Sequence, residues 1–392
     1  MAAPDPRPLV LHVVHRFGVG GLENGIVNLI NRMPVGRFRH GIVALTEVTD
    51  FSRRIRRDDV CFHALHKPAG QGLRVAPRLV GLLRELQPAI VHTRNLGAME
   101  MCLPAAWAGV PIRIHGEHGW DSSDPDGLSV KYRLVRRAYR PFVHQYIALS
   151  SQIARYLADK VGVPAARLQQ ICNGVDTQRF QPAGEQPLPL AGSPWTPSHH
   201  WVIGTVGRLQ EIKDQVLLAR AFVRALELAP PARDRLRLLI AGEGPLRPQI
   251  ETVLREGGVQ AQAWLAGERA DVPQVLQSLD AFVLPSRAEG ISNTILEAMA
   301  SGLPILATDV GGNGELLEQN VSGRLIPHGD VDVMARALLD DFTDPAAARA
   351  RGATARATVQ RRFSLDGMVA AYGDLYERLL ARAITRGAPQ RA

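Results

Sequence analysis

Cysteine is scarce in this chain. There are three in 392 residues, Cys61, Cys102 and Cys172, far apart and without a Cys-x-x-Cys pair. That spacing supports neither a disulfide framework nor a structural zinc site. Aromatic residues make up only 5%, and no zinc-finger spacing appears, so no nucleic-acid partner is expected. Long apolar runs are missing too, with no window near the roughly 18 apolar residues of a membrane-crossing helix. The opening Met1-Ala-Ala-Pro-Asp-Pro-Arg-Pro runs straight into Leu9-Val-Leu-His-Val-Val14, without the apolar core and cleavage site of a signal peptide. A cytoplasmic protein is the expectation.

What is present belongs to a globular protein: 46% hydrophobic residues, 21% charged, and length enough for two domains, each with its own core. The net charge of +8 is unevenly spread. Residues 1–185 hold 24 Lys and Arg against 15 Asp and Glu, while residues 186–392 hold 22 against 23. A basic first half can face anionic lipid. Within it, the stretch 128–140 places Leu128, Tyr132, Val135 and Tyr139 on one helical face, and Lys131, Arg133, Arg136, Arg137 and Arg140 around the rest. Two readings fit that pattern: a helix lying in a membrane interface, peripheral on the inner face of the cell membrane, or an amphipathic helix packed on a sheet.

Short apolar runs alternate with helical stretches throughout. Strands are predicted at 9–14, 41–45, 60–65, 89–93, 111–115 and 143–149, then at 201–206, 236–241, 263–266, 281–284, 304–307 and 323–326. Strands separated by ten to twenty or so helical residues imply parallel sheets with right-handed crossovers. The run 186–198, with four prolines and no periodicity, reads as a linker. The expected organisation is therefore α/β: a first doubly wound domain over 1–185, a linker over 186–200, and a second over 201–364. A helix from Leu365, in the segment 365–392, crosses back to the first domain. Two such domains facing each other leave an interdomain cleft at the carboxyl ends of their strands, where open α/β sheets bind ligands. Asn173-Gly174 reads as a turn and a candidate hinge.

The chemistry concentrates in Ser286-Arg-Ala-Glu-Gly-Ile-Ser-Asn-Thr-Ile-Leu-Glu297. A buried strand ends just before it, and a helix is predicted over 293–300 with Ser292 and Asn293 as candidate N-caps. The loop then offers backbone N–H groups of Gly290, Ile291, Ser292, Asn293 and Thr294, and a positive helix end, to an anion. Glu289 and Glu297 can take hydroxyls of a hexose and of a ribose, with the amides between them on a diphosphate. Gly207-Arg-Leu-Gln-Glu-Ile-Lys213 places Arg208 and Lys213 at the head of a helix, a disfavoured position for cations unless an anion is bound. Fixed cations in a dry cleft stabilise a departing diphosphate without a metal. Asp124-Pro-Asp126 and Asp330-Val-Asp332 read as turn and helix-start chemistry, so no metal and no cofactor is expected.

Gly18-Val-Gly-Gly21 follows the first strand, so the backbone at Gly20 and Gly21 can approach a phosphate. A nicotinamide fingerprint would need glycine where Glu23 stands, although Glu47 after the second strand could still meet a ribose. Gly116-Glu-His-Gly119 ends another strand of the first domain, and His118 there can orient a sugar hydroxyl. Gly242-Glu-Gly-Pro245 and Gly267-Glu-Arg-Ala-Asp271, which includes Arg269, end strands of the second domain and are expected to line a nucleotide-base pocket.

Gly20-Gly21, Gly207-Arg208 with Lys213, Gly242-x-Gly244-Pro245, Glu289-x7-Glu297 and Gly302-x-Pro304 together resemble the retaining glycosyltransferases of family 4, over nearly the whole chain. The runs His12-Val-Val-His-Arg-Phe-Gly-Val-Gly-Gly-Leu-Glu-Asn24 and His115-Gly-Glu-His-Gly-Trp-Asp121 are similar to sugar transferases of exopolysaccharide and exosortase gene clusters. The resemblance implies a GT-B fold, two facing Rossmann-like domains. It also implies transfer of a hexosyl unit from a nucleotide sugar donor to a lipid-linked or saccharide acceptor, with retention and without metal. Glu289 then contacts the hexose, Glu297 the ribose, Arg208 and Lys213 the diphosphate, and His118 the reacting sugar. An epimerase of the same fold, a non-catalytic sugar-nucleotide-binding module and a dehydrogenase are the rival readings.

Overall fold

The computed structural model describes residues 5–385, except 71, 121–123, 125–126, 185–189 and 196–198. Thirteen strands are found among these residues, all in parallel register. In the first sheet they are β1 (Leu9–Val14), β2 (Arg39–Ala44), β3 (Val60–Ala64), β4 (Ile90–Arg94), β5 (Ile112–Glu117), β6 (Gln145–Ala148) and β7 (Leu168–Gln170). In the second they are β8 (Trp201–Val206), β9 (Leu236–Ala241), β10 (Ala263–Gly267), β11 (Ala281–Leu284), β12 (Ile305–Thr308) and β13 (Arg324–Ile326). Central strands such as β1, β4 and β11 are buried along their whole length, as parallel sheets covered by helices on both faces require.

The sheet orders are β3-β2-β1-β4-β5-β6-β7 and β10-β9-β8-β11-β12-β13. Each chain path starts in the middle, winds one way and returns to wind the other. The winding reverses between β1 and β4 in the first sheet and between β8 and β11 in the second. Loops leaving the carboxyl ends of those strand pairs diverge and open a crevice.

The chain divides into two compact units, residues 1–173 with 365–392, and residues 174–364. The division falls at Asn173–Gly174, so the proline-rich run expected to link the domains groups with the second unit; residues 186–189 and 196–198 of it lie outside the described residues. In the first unit, the helix Leu365–Thr385 packs Leu365, Met368, Val369, Tyr372, Leu375, Tyr376 and Leu379 against Val10, Ile90, Ile112, Ile114 and Ile147 of the sheet. Their three- and four-residue spacing makes one apolar stripe, and each such side chain contributes about 1.5–3 kcal/mol on burial. The second unit's core lies between β8, β9, β11 and the helices Gln215–Leu228 and Val331–Thr343.

Two local differences from the sequence expectation bear on function. β5 runs on through Gly116 and Glu117, which places His118 directly at a strand's end. The 128–140 stretch is a helix over Val130–Tyr139 capped by Ser129, and its packed side carries Arg136, the buried residue of that helix. Leu128, Val130 and Leu134 are exposed.

Candidate active site

The crevice between β8 and β11 holds most of the expected second-unit residues. After β8, the loop 207–214 carries an exposed Arg208 and a partly buried Lys213. After β11, the loop 285–292 carries Glu289 and leads into the helix Asn293–Ala300, capped by the Ser292 hydroxyl accepting from the Ile295 N–H at 3.3 Å. Lys213 Nζ donates to Glu289 Oε1 at 2.5 Å, and Ser286 Oγ donates to the same oxygen at 2.7 Å. Both bonds fall on Oε1. Glu289 Oε2 and the other two Lys213 protons have no partner among the described residues.

Glycine is required where these loops touch backbone to backbone. A Cβ on Gly311 would lie 1.8 Å from the Glu289 carbonyl oxygen, and one on Gly312 2.1 Å from that of Gly290. The loop after β12 therefore presses directly on the Glu289-Gly290 peptide. On the other flank a Cβ on Gly242 would lie 1.9 Å from the Gly207 oxygen, and one on Gly244 2.4 Å from that of Leu209. Leu209 N–H donates to the Glu243 carbonyl at 2.9 Å, locking these two loops together. The Ser286 carbonyl is held by Thr308 Oγ1 at 2.6 Å.

Asp214 ties three loops to this site and was not singled out in the sequence. It adopts a left-handed backbone conformation, φ +44°, rare for a residue other than glycine. Its carboxylate accepts from the Leu217 N–H at the start of the helix Gln215–Leu228, from Arg287 Nε at 3.1 Å and from His328 Nε2 at 2.9 Å. The only signal in the chain was its adjacency to Lys213. Its partners Arg287 and His328 lie more than 70 residues away, so local pattern could not reveal the role.

Glu297 stands on the inner part of the Asn293–Ala300 helix. Burial pushes its carboxyl up to about 7, with Arg179 pulling weakly the other way. Among the described residues its carboxylate accepts no hydrogen bond. Arg269 is instead engaged: it chelates Asp271 at 2.5 and 2.8 Å and donates to the Ala191 carbonyl at 3.0 Å. Asp330 caps the Val331–Thr343 helix and Asp332 pairs with Arg224. Asp126 and Asp121 lie outside the described residues, while Asp124 accepts from the Ser129 N–H. Among the described residues no group of three or more His, Cys, Asp or Glu side chains is arranged to hold a metal ion.

His118, Gly20 and Gly21 belong to the first unit. Gly20 is the N-cap of the helix Gly21–Arg32 and is extended, φ −170°. Glu47, the ribose candidate of the dehydrogenase reading, is exposed and paired to Arg16 at 2.6 Å. His118 lies at the end of β5, with its backbone N–H donating to Asn95 Oδ1 at 2.6 Å and its ring Nε2 2.9 Å from Arg94 Nη1. Burial, then the Arg94 charge, hold this imidazole well below the usual histidine range. It is neutral at physiological pH.

Residues 200–344 match a family model described as glycosyl transferases group 1, and residues 19–179 match one described as glycosyltransferase family 4. The lipopolysaccharide core biosynthesis mannosyltransferase LpsB of Rhizobium meliloti is 31% identical over 330 residues, spanning 81% of this chain and 83% of that protein. The UDP-Gal:alpha-D-GlcNAc-diphosphoundecaprenol alpha-1,3-galactosyltransferase of Escherichia coli is 28% identical over 308 residues, 76% of this chain and 77% of its own. Among solved structures, Anabaena Alr3699/HepE in complex with UDP superposes with a TM-score of 0.76 at 19% identity, over 94% of this chain and 99% of that one. That likeness establishes the fold as GT-B.

Proposed function

Because the chain belongs to the glycosyltransferases of family 4, we propose that it moves a hexosyl unit, with retention, from a nucleoside diphosphate sugar to a lipid-linked or polysaccharide acceptor in bacterial exopolysaccharide or lipopolysaccharide assembly. The observation that carries this reading is the Lys213–Glu289 pair at the crevice between β8 and β11, with one carboxylate oxygen and two ammonium protons left over. Glu289 Oε2 accepts a hexose hydroxyl. Lys213 and Arg208 face the diphosphate, where negative charge grows as the glycosidic bond breaks. Amides of Gly290, Ile291, Ser292, Asn293 and Thr294 add the positive end of a helix. Glu297 takes ribose hydroxyls, and the backbone around Gly242 and Gly244 lines the base. In the first unit, His118 donates to the reacting sugar, and Gly20 and Gly21 offer amides to phosphate. The fold leaves Arg269 bound to Asp271, so its part is to shape that wall rather than to present a free charge.

No metal enters this scheme, because two cations supply the charge stabilisation. Two relatives support the choice of substrates: the Escherichia coli enzyme is named for a diphosphoundecaprenol acceptor, and the Anabaena protein was crystallised with UDP. A membrane-linked acceptor also suits the basic, partly apolar face of the Val130–Tyr139 helix, which we assign to peripheral contact with anionic lipid.

Transfer and hydrolysis assays with UDP-, GDP- and ADP-sugars test the reading. Lys213→Ala and Glu289→Gln are expected to lower turnover by about 10²-fold or more, and a chelator to leave it unchanged. Wild-type rates in both variants would remove the site. An isomerised donor without transfer would favour an epimerase.

A further inference from the structure

His118 is gripped at two points by consecutive residues, Arg94 and Asn95. Arg94, the last residue of β4, is almost wholly buried, 3% exposed, and no carboxylate pairs with it among the described residues. Its Nη1 lies 2.9 Å from His118 Nε2, its Nη2 lies 3.4 Å from His12 Nδ1, and its plane sits 5.5 Å over the Tyr372 ring. Asn95 adopts φ +57°, ψ 167°, a region costing about 1–3 kcal/mol for a residue with a side chain. In that conformation its Oδ1 accepts the His118 backbone N–H at 2.6 Å, and its own backbone N–H donates to the Gly116 carbonyl at 2.7 Å. Gly116 completes the seat: a Cβ there would lie 2.6 Å from His118 Nε2 and 3.1 Å from His92 Nε2. The imidazole is folded back over a strand that has no side chain at that point.

A guanidinium has donors and no acceptor. The Arg94 contact therefore requires a lone pair on His118 Nε2, and a neutral imidazole with a lone pair on Nε2 carries its proton on Nδ1. No residue among those described takes that Nδ1 proton. We propose that Arg94 and Asn95 are positioning residues, Asn95 holding the His118 backbone and Arg94 fixing the ring as its neutral Nδ1–H tautomer, so that His118 meets substrate as a hydrogen-bond donor and not as a base. The inference rests on the assignment of His118 to the reacting sugar made above. The charged and titratable groups around the ring are Arg94 and His92 from β4, His115 and Glu117 from β5, and His12 from β1. Glu117 is the one group among them that favours protonation of His118, and it is itself committed to Arg136 at 2.6 Å and to His115 at 3.3 Å.

Long-range ¹H–¹⁵N spectra of imidazole nitrogens in the full-length protein, with the His118 signal assigned by its loss in His118→Gln, read the tautomer without turnover. The wild type is expected to show Nδ1–H and to resist protonation well below the ordinary histidine range. Arg94→Gln frees Nε2 and is expected to raise the titration towards that range and to lower kcat about 10²-fold, with KM for the donor little changed. Arg94→Lys, which keeps a donor, is expected to retain the tautomer and recover part of the rate. An Nε2–H tautomer in the wild type, or titration at the ordinary value, overturns the clamp. An Nδ1–H tautomer alongside full transfer by His118→Ala upholds the clamp and removes His118 from the proposed chemistry, so the two failures are distinguishable.

Discussion

Glu297 and Glu289 sit in one segment and meet opposite electrostatic treatment. Glu289 is neutralised by Lys213, whereas Glu297 has no hydrogen-bond donor among the described residues and is pushed up to about 7 by burial. The sign of its pH effect follows. Between the unfolded value of 4.5 and the folded value of about 7 the folded chain holds the proton and the unfolded chain does not. Stability from this group is present below 4.5 and is lost as pH rises through 7, at most about 3 kcal/mol. Denaturant titrations across pH 4–8 are expected to show that fall in the wild type and a flatter profile in Glu297→Gln. Hydroxyl donors prefer the ionised carboxylate, so donor affinity should rise over the same interval. A wild-type profile no steeper than that of Glu297→Gln would refute the burial argument. These two glutamates were legible because they share one segment. The roles of Asp214 and Thr308 were not, since sheet order alone brings Asp214 to Arg287 and His328, and Thr308 to Ser286. Arg94 was equally hidden, as one charged residue closing an apolar run.

Elements were read well wherever an apolar run was long enough to be buried on both faces. β1, β8, β9 and β11 match the expected 9–14, 201–206, 236–241 and 281–284. β7, Leu-Gln-Gln at the sheet's edge, was missed: three residues with two glutamines carry no period. The Val130–Tyr139 helix shows a different limit. Its Tyr132, Val135 and Tyr139 are partly buried, as an amphipathic pattern predicts, but Arg136 is buried deeper still and reaches Glu117. The outward face keeps Val130, Lys131, Leu134 and Arg137, with Leu128 just before it. Apolar side chains standing among cations suit a lipid headgroup layer. Sedimentation with phosphatidylglycerol vesicles is expected to fall about fivefold for Lys131→Ala, to be lost in Leu134→Glu, and to weaken with salt. Equal binding to phosphatidylcholine vesicles would count against the electrostatic part.

For the whole molecule, the alternation of strand and helix was enough to foresee two doubly wound sheets, because parallel strands need crossovers and crossovers need helices. The point of division falls at the turn Asn173-Gly174, a candidate hinge in the sequence, and not in the expected linker. Proline content marked residues 186–198, yet the contacts break at Asn173–Gly174 and resume with the first unit at Leu365. Composition reports chain stiffness, not which core a segment joins. Ending the chain at Ser364 uncovers Val10, Ile90, Ile112, Ile114 and Ile147. Limited proteolysis of that truncated form is expected to digest residues 1–173 quickly while fragments from 174–364 persist. Protection of both would show that the first sheet does not depend on its last helix.

The return of Leu365–Thr385 to the amino-terminal sheet also sets an order of events during translation. Domains usually fold as they leave the ribosome, the earliest first. Here the segment made first must wait, one flank of its sheet bare, until that helix emerges from the exit tunnel. Residues 174–364 meet no such delay, so the half synthesised later is the half that can finish sooner.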